Sequence, residues 1–409
     1  MELLIIGGGP AGLSAAIKAK EQGLAEVCIL ERNSHMGGIL NQCIHHGFGL
    51  HIFDEELTGP EYAQRLIDRA LDLGVTFMNN TMVTDLDENR LVTYVSPNGA
   101  KQVQANAVIL GMGCRERTRG ALRIPGFRGR GIFSAGTAQA LVNMRGFVPG
   151  KRVVILGSGD IGLIMARRMS LEGAEVLGVY ELNDFSSGLK RNIVQCLDDY
   201  NIPLYLSHTV TRIVGENYKL TGVYVAPVEE FRTPIYSQEE FIPCDTLLLS
   251  VGLIPENELS KKAGVQLSPI TGGAVVNSDL STNIEGIFSC GNVLHVHDLA
   301  DDVTLEAYRA GAAAVDFIKN GTKISQASKI AVKAGNGVSY VSPNFVQPNQ
   351  DVELLFRSKD VYRRATTTVK DGETVIKTVK RRVVAPGEME KVKINTGSMR
   401  SCVVSIEGS

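Results

Sequence analysis

The chain has almost no net charge, no paired cysteines and no long unbroken apolar run. Each absence closes off a class of protein. Lys and Arg number 42 against 44 Asp and Glu, a formal net charge of −2 over 409 residues. So even a balance gives no electrostatic grip on nucleic acid or on a membrane surface. The seven cysteines, Cys28, Cys43, Cys114, Cys196, Cys244, Cys290 and Cys402, show no paired spacing. That excludes a disulfide scaffold and a cysteine-ligated iron–sulfur cluster of ordinary spacing within this chain, and it fits reduced thiols in a cytoplasm. The apolar stretch near the N-terminus is broken by glycines and Pro10, so neither a membrane span nor a signal peptide is expected. The first strand begins near Glu2, and no targeting sequence is expected before it.

What the sequence does have is a pair of glycine-rich turns about 150 residues apart. Gly7-Gly8-Gly9-Pro10-Ala11-Gly12 follows the apolar run Leu3-Leu4-Ile5-Ile6. Gly157-Ser158-Gly159-Asp160-Ile161-Gly162 follows Val153-Val154-Ile155-Leu156. Each reads as strand, tight turn, helix, the dinucleotide-binding fingerprint. Gly7 and Gly157 permit the turn, Gly9 and Gly159 let backbone approach a pyrophosphate, and Gly12 and Gly162 let the helix pack on the sheet. The helix N-terminus offers amide donors to the phosphates. An acid closes the second strand of each unit, Glu31 and Glu181, placed to accept hydrogen bonds from ribose hydroxyls. Two such sites imply two dinucleotides with electrons passing between them. Glu181 would repel a 2′-phosphate, and residues 182–187 hold no Arg or Lys to receive one, so NADH is expected over NADPH. Asp160 falls in a first helical turn, where it is expected to point away from the phosphates.

The fold class expected is α/β. Two Rossmann-like dinucleotide-binding domains are predicted, the second inserted in the first, followed by a C-terminal antiparallel β domain. The first domain is assigned residues 1–113 and 246–325, the second 114–245. The return is placed at Thr246-Leu247-Leu248-Leu249, a buried-strand run, and a later helix over 303–320 is given Asp301 or Asp302 as its cap. From about residue 326 helical periodicity vanishes. Val352, Leu354 and Phe356 alternate along one strand, and Asp371-Gly372 and Ala385-Pro386-Gly387 suggest turns. Residues 326–409 carry 14 Lys and Arg against 8 Asp and Glu, which suits a solvated face or a docking module for another subunit.

Several separated segments give a resemblance. Beside the two fingerprints stand Met36-Gly37-Gly38, Ile124-Pro125-Gly126, Val251-Gly252-Leu253-Ile254-Pro255-Glu256 and Thr282-Asn283-Ile284-Glu285-Gly286-Ile287-Phe288-Ser289-Cys290-Gly291-Asn292. Over roughly residues 3–320 the chain resembles the FAD-dependent pyridine nucleotide oxidoreductases. The resemblance implies FAD on the first fingerprint and NADH on the inserted one. It implies that Gly7, Gly9, Gly12, Glu31, Gly38, Val83, Gly111, Gly291 and Asn292 line FAD, with Val83 meeting adenine through its backbone. Gly157, Gly159, Gly162, Glu181 and Gly252 would hold NADH. A helix N-terminus near Val303 is the candidate for stabilising negative charge on reduced flavin.

Three departures shape the function. Asn292 stands where the family usually has Asp. Leu110-Gly111-Met112-Gly113 replaces the usual Ala-Thr-Gly. The paired cysteines of the disulfide reductases are missing: Gly38-Ile39-Leu40-Asn41-Gln42-Cys43-Ile44-His45-His46 offers Cys43 with no second cysteine nearby, and dithiol exchange needs two sulfurs. A nearer likeness is to FAD/NAD subunits of multi-subunit dehydrogenases of the opine, proline, cyanide-forming and glycerol-3-phosphate types. It is carried by Gly111-Met112-Gly113-Cys114-Arg115-Glu116-Arg117 and by Cys290-Gly291-Asn292-Val293-Leu294-His295-Val296-His297. It implies NADH oxidation with electrons passed to O2 or to a second flavoprotein dehydrogenase subunit, in an oligomer. Any iron–sulfur cluster would then sit on a separate subunit. The alternative is a non-catalytic electron-relay or assembly subunit. Hydride transfer between stacked rings needs positioning more than an acid or base, so no firm catalytic side chain is expected. Cys43, His45 and His46 are the weak candidates. His295 and His297 have metal-ligand spacing, but with no third ligand apparent nearby no metal is expected, and cavity lining is the reading given to them.

Overall fold

The computed structural model describes residues 1–229, 232–321 and 329–409. They form two compact units, Met1–Cys114 with Pro255–Ser409, and Arg115–Ile254. The second is thus inserted in the first, and the class is α/β with a C-terminal antiparallel part.

In the first unit β1 (Leu3–Ile6), α1 (Pro10–Glu21) and β2 (Val27–Leu30) follow one another as the motif requires. Every residue of β1 and β2 is buried, as befits parallel strands covered on both faces. Next come α2 (Gly59–Asp72), β3 (Thr76–Met78) and an antiparallel sheet of β4 (Met82–Leu86), β5 (Leu91–Ser96) and β6 (Gly99–Gln104). The α2 helix starts on a capping box, with Thr58 and Glu61 each satisfying the other's backbone N–H. β7 (Ala107–Leu110) lies on the other side of β1, with Leu3 paired to Ala107 and Ile6 to Leu110.

The second unit repeats this plan. β8 (Ile132–Ser134), α3 (Ala135–Arg145), β9 (Arg152–Leu156), α4 (Asp160–Leu171), β10 (Glu175–Tyr180), α5 (Lys190–Cys196) and β11 (Leu204–Tyr205) lead to an antiparallel sheet of β12 (His208–Glu216), β13 (Lys219–Pro227) and β14 (Glu240–Pro243). β15 (Thr246–Leu249) then joins β9 in parallel, Val153 opposite Thr246 and Leu156 opposite Leu249. This corrects the expected domain boundary. The run at 246 does not return to the first domain: it completes the second unit's sheet, ordered β8-β15-β9-β10-β11, and the chain re-enters the first unit only at Pro255. A buried parallel strand reads the same in either sheet. Only hydrogen-bond pairing decides which one it joins.

β16 (Ile287–Ser289) pairs with β7 and completes the first sheet, ordered β16-β7-β1-β2-β3. A 21-residue helix, α6 (Ala300–Asn320), packs on it. Here too an expectation changes. The N-cap is Leu299, and Asp301 and Asp302 sit inside the first turn, where carboxylates suit the positive end of the dipole. Both are also committed to long-range contacts: Asp301 accepts from the His51 N–H at 3.2 Å, and Asp302 pairs with Lys391.

The expected boundary at 325/326 lies outside the described residues. Beyond it two sheets face each other. One is ordered β19-β17-β24-β21-β22 and is built from β17 (Ile330–Ala334), β19 (Phe345–Val346), β21 (Thr366–Asp371), β22 (Thr374–Lys380) and β24 (Cys402–Glu407). The other is β18-β20-β23, from β18 (Val338–Ser342), β20 (Asp351–Ser358) and β23 (Glu390–Asn395). The alternation read at Val352, Leu354 and Phe356 turns all three into a separate apolar core. Gly372 takes φ +56° at the hairpin between β21 and β22. This β sandwich is tied to the rest of its unit. Asn344 and Val276 exchange backbone and side-chain hydrogen bonds, Arg357 pairs with Asp298, and Met389 N–H donates to Asp298 Oδ2 at 2.6 Å.

Candidate functional site

The parallel sheets bring their fingerprint glycines to the carboxyl ends of adjacent strands, where α/β folds bind ligands. In the first unit Gly7 (φ +106°) leaves β1 in a conformation that favours glycine, and a Cβ there would lie 2.4 Å from the Gly111 carbonyl oxygen beyond β7. A Cβ on Gly12 would meet the Gly7 oxygen at 1.9 Å. Strand, turn and helix therefore pack too closely for any side chain at either position. Gly9 differs. Its backbone is extended, and the nearest atom to a Cβ would be the Gly38 Cα, at 4.0 Å. The protein leaves that face of the turn open. By their position, the Ala11 and Gly12 amides at the start of α1 have no intrahelical acceptor. This is a cradle sized for a phosphate to approach backbone.

Glu31 is buried at the end of β2. One oxygen takes the Gly8 N–H at 2.7 Å and the other the Asn33 N–H at 2.8 Å. A carboxylate has about four acceptor sites, so capacity remains for ribose hydroxyls. The Thr81 N–H donates to the Glu31 carbonyl at 2.8 Å, which carries the chain past the acid into β4, and Val83 is buried two residues further on. Gly291 follows β16 with φ +73°, and its added Cβ would press on Ala11 at 2.7 Å and on Val303 at 3.2 Å. Asn292 Oδ1 accepts the His297 N–H at 3.0 Å. Thus Gly7, Gly9, Gly12, Gly38, Gly111, Gly291 and Val303 converge on one place. Glu31 flanks it through the Gly8 amide.

The second unit reproduces these contacts position by position. Gly157 N–H donates to Tyr180 carbonyl at 2.7 Å as Gly7 does to Leu30 at 2.9 Å. A Cβ on Gly157 would meet the Ser250 oxygen at 2.0 Å, and one on Gly162 the Gly157 oxygen at 2.7 Å. Gly159 again has the open face, with Ser250 Oγ nearest at 3.5 Å. Gly252 lies two residues past Ser250 on the same edge, exposed, with φ +94°.

Two features here escape a reading of the sequence. Glu181 receives five donors where Glu31 has two: Ser158 N–H at 2.9 Å, Ser158 Oγ–H at 2.6 Å and Ser187 Oγ–H at 3.5 Å on one oxygen, and Asn183 N–H at 3.0 Å and Nδ2 at 2.9 Å on the other. Its acceptor sites are all taken by the protein. Asp160 does sit in the first turn of α4, but its side chain has a task. Oδ1 takes the Leu189 N–H at 2.8 Å and the Asn192 Nδ2 at 2.6 Å. It thereby holds the segment after β10 against the glycine turn, and Ser186 Oγ donates to the Ser158 carbonyl at 3.2 Å. A lone Ser or Asn carries no sequence signal that would reveal such a clasp.

The candidates near residue 43 look less like chemistry. None of the seven cysteines is joined in a disulfide. Cys43 is half-buried at the end of the Gly38–Gln42 turn, and burial pushes its thiol up to about 12. The thiolate is the reactive form. Iodoacetamide should therefore label Cys43 slowly at pH 8 and about tenfold faster per pH unit up to about 12. Mass spectrometry of the labelled peptide checks this, and fast labelling at pH 7 would contradict it. His45 leans on the Phe48 ring at 5.2 Å, and His46 is exposed in a short strand pairing with Thr58. At His295 and His297 the structure overturns the expectation that no third ligand stands nearby. A third candidate ligand is present: Glu306, on α6, reaches both rings. Both histidines follow the 3-10 turn Gly291–Val293.

The family model of the pyridine nucleotide-disulphide oxidoreductases matches residues 1–314. The chain belongs to that family. Its members use FAD and NAD(P)H, and this member is an FAD- and NAD(P)H-dependent oxidoreductase in that general sense. An opine oxidase subunit of Agrobacterium tumefaciens is 27% identical over 286 residues, 65% of this chain and 55% of the relative. The chain thus spans about half the length of that relative. Thioredoxin reductase of Listeria innocua is 23% identical over 297 residues, covering 71% of this chain and 85% of the relative. Among solved structures, the thioredoxin reductase of T. acidophilum superimposes with a TM-score of 0.63 at 24% identity, over 77% of this chain and 97% of its own. No helix among the described residues is long and apolar enough to cross a membrane.

Proposed function

We propose that this chain is an FAD-dependent NADH oxidoreductase without a dithiol relay, working in the cytoplasm as one subunit of an oligomeric dehydrogenase. The observation that carries it is the doubled cradle, with Gly7, Gly9, Gly12 and Glu31 in one unit and Gly157, Gly159, Gly162 and Glu181 in the other. The first fits FAD: the open Gly9 face takes the pyrophosphate, Glu31 the ribose and Val83 the adenine, while Gly38, Gly111, Gly291 and Asn292 close round the rest. The second fits NADH, with Gly252 at its edge. FAD, when bound, supplies a two-electron acceptor for the hydride of NADH and a donor to O2 or to a partner. The chain's own part is to bind, to orient and to place the first turn of α6, at Val303, where negative charge on the reduced ring is stabilised. Cys43, its thiol held protonated by burial, takes no part. The likeness to a protein named as one part of an opine oxidase supports a partner, which we take to be a second flavoprotein dehydrogenase subunit. Any iron–sulfur cluster is assigned to a further subunit.

A second reading follows from one contact set. Glu181 is saturated by Ser158 and Asn183, which suits a relay or assembly subunit whose nicotinamide site no longer binds. Anaerobic addition of NADH to the yellow protein separates the two. Rapid loss of the flavin absorbance is expected. Persistent colour, with no NADH binding by calorimetry, would install the second reading.

A further inference from the structure

One buried cluster is left unused by dinucleotide binding. His295 and His297 lie just after the Gly291–Val293 turn, and Glu306 enters from α6. The two rings stack with centroids 4.2 Å apart. Both aim Nε2 at the same oxygen: Glu306 Oε2 is 2.9 Å from His295 Nε2 and 3.4 Å from His297 Nε2. All three side chains are 2% exposed or less. Neither ring nitrogen of His297 has a hydrogen-bond partner, and His295 Nδ1 has none either. The other Glu306 oxygen is spent on the Gly291 N–H at 2.7 Å. Arg309, the nearest guanidinium, stands 4.0 Å away and is 35% exposed. A carboxylate and two imidazoles, dry and facing each other, are costly unless something of positive charge joins them.

We propose that His295 Nε2, His297 Nε2 and Glu306 Oε2 bind a divalent transition-metal cation of the Zn2+ or Fe2+ type. Ligands about 2.0–2.1 Å from a tetrahedral ion stand roughly 3.3 Å apart, and the two observed separations straddle that spacing. Two histidines and one carboxylate form a recognised set for both ions, whereas Ca2+ and Mg2+ want oxygen ligands. The loop is held in place beforehand. Asn292 takes the His297 N–H, Arg357 donates to the Val296 carbonyl at 3.1 Å, and Tyr340 lies against the His295 ring at 6.2 Å. The ion would fasten the segment after the Gly291 turn to α6.

Elemental analysis of the purified flavoprotein is expected to give one zinc or iron per chain. After chelator treatment, Zn2+ alone should bind one to one by calorimetry. Co2+ in its place should show ligand-field bands to the red of the flavin. His297→Ala should lose the metal at least tenfold while keeping FAD and the far-UV spectrum, and Glu306→Gln should do the same if it folds. Wild-type protein that carries no metal and gives no saturable Zn2+ binding would overturn the site. So would metal binding unchanged in His297→Ala. None of these readings depends on NADH oxidation.

Discussion

Replacing Gly9 by Ala is expected to leave a folded, nearly colourless protein. The added Cβ meets nothing of the protein closer than the Gly38 Cα at 4.0 Å, and the Gly9 backbone is extended. The fold should therefore lose at most about 1 kcal/mol, the cost of Ala at an N-cap. The methyl group does occupy the face on which a pyrophosphate must approach the α1 amides. Hydrogen bonds to a charged group contribute about 1.5–3 kcal/mol each, so losing one or two should weaken FAD binding by roughly 100-fold or more. Flavin content after purification, and FAD titration by fluorescence, measure this against an unchanged far-UV spectrum. Gly12→Ala is the contrasting case. Its Cβ would lie 1.9 Å from the Gly7 oxygen, so it should impair folding as well as colour. A yellow Gly9→Ala protein of normal FAD affinity would show that the phosphates do not ride on this turn.

Gly159→Ala should separate the two cofactors. The site has the same open face, with Ser250 Oγ 3.5 Å from the new Cβ. The protein is expected to stay yellow and to be bleached by dithionite. Its reduction by NADH should slow by roughly 100-fold at subsaturating NADH, since phosphate contacts of the same strength are lost. Stopped-flow absorbance measures the rate. An NADH rate equal to wild type would place the nicotinamide nucleotide elsewhere.

How legible the site is depends on how local each part is. Gly7, Gly9, Gly12 and Glu31 lie within one strand-helix-strand stretch, and so do Gly157, Gly159, Gly162 and Glu181. Their spacing is a property of short chain segments, and the structure brings them together as the motif requires. The apolar side chains of Thr246–Leu249 satisfy either sheet, so the sequence misplaces this strand, and the choice is made by its ladder to β9. Asp160 does lie in its helix, yet its partners, Leu189 and Asn192, lie 29 and 32 residues on. The saturation of Glu181 is equally hidden, because it depends on where the Ser158 and Asn183 side chains turn. Glu306 goes unseen as a companion of His295 and His297 because the chain between them folds back before α6 begins. Only that reversal brings the carboxylate 2.9 Å from one ring and 3.4 Å from the other.

The sequence by itself determined that this protein has two dinucleotide-binding units, one set inside the other, ahead of a β-rich tail. Glycine positions, apolar runs and the acids that end two strands are constraints acting over about 30 residues, a range in which covalent connectivity dictates geometry. Tertiary structure alone decided where the insert ends, which side chains crowd Glu181, and that two histidines and a glutamate share a dry pocket. Those outcomes come from strand pairing, from the path of a short loop and from the rotamers that side chains take once buried. No local pattern encodes them.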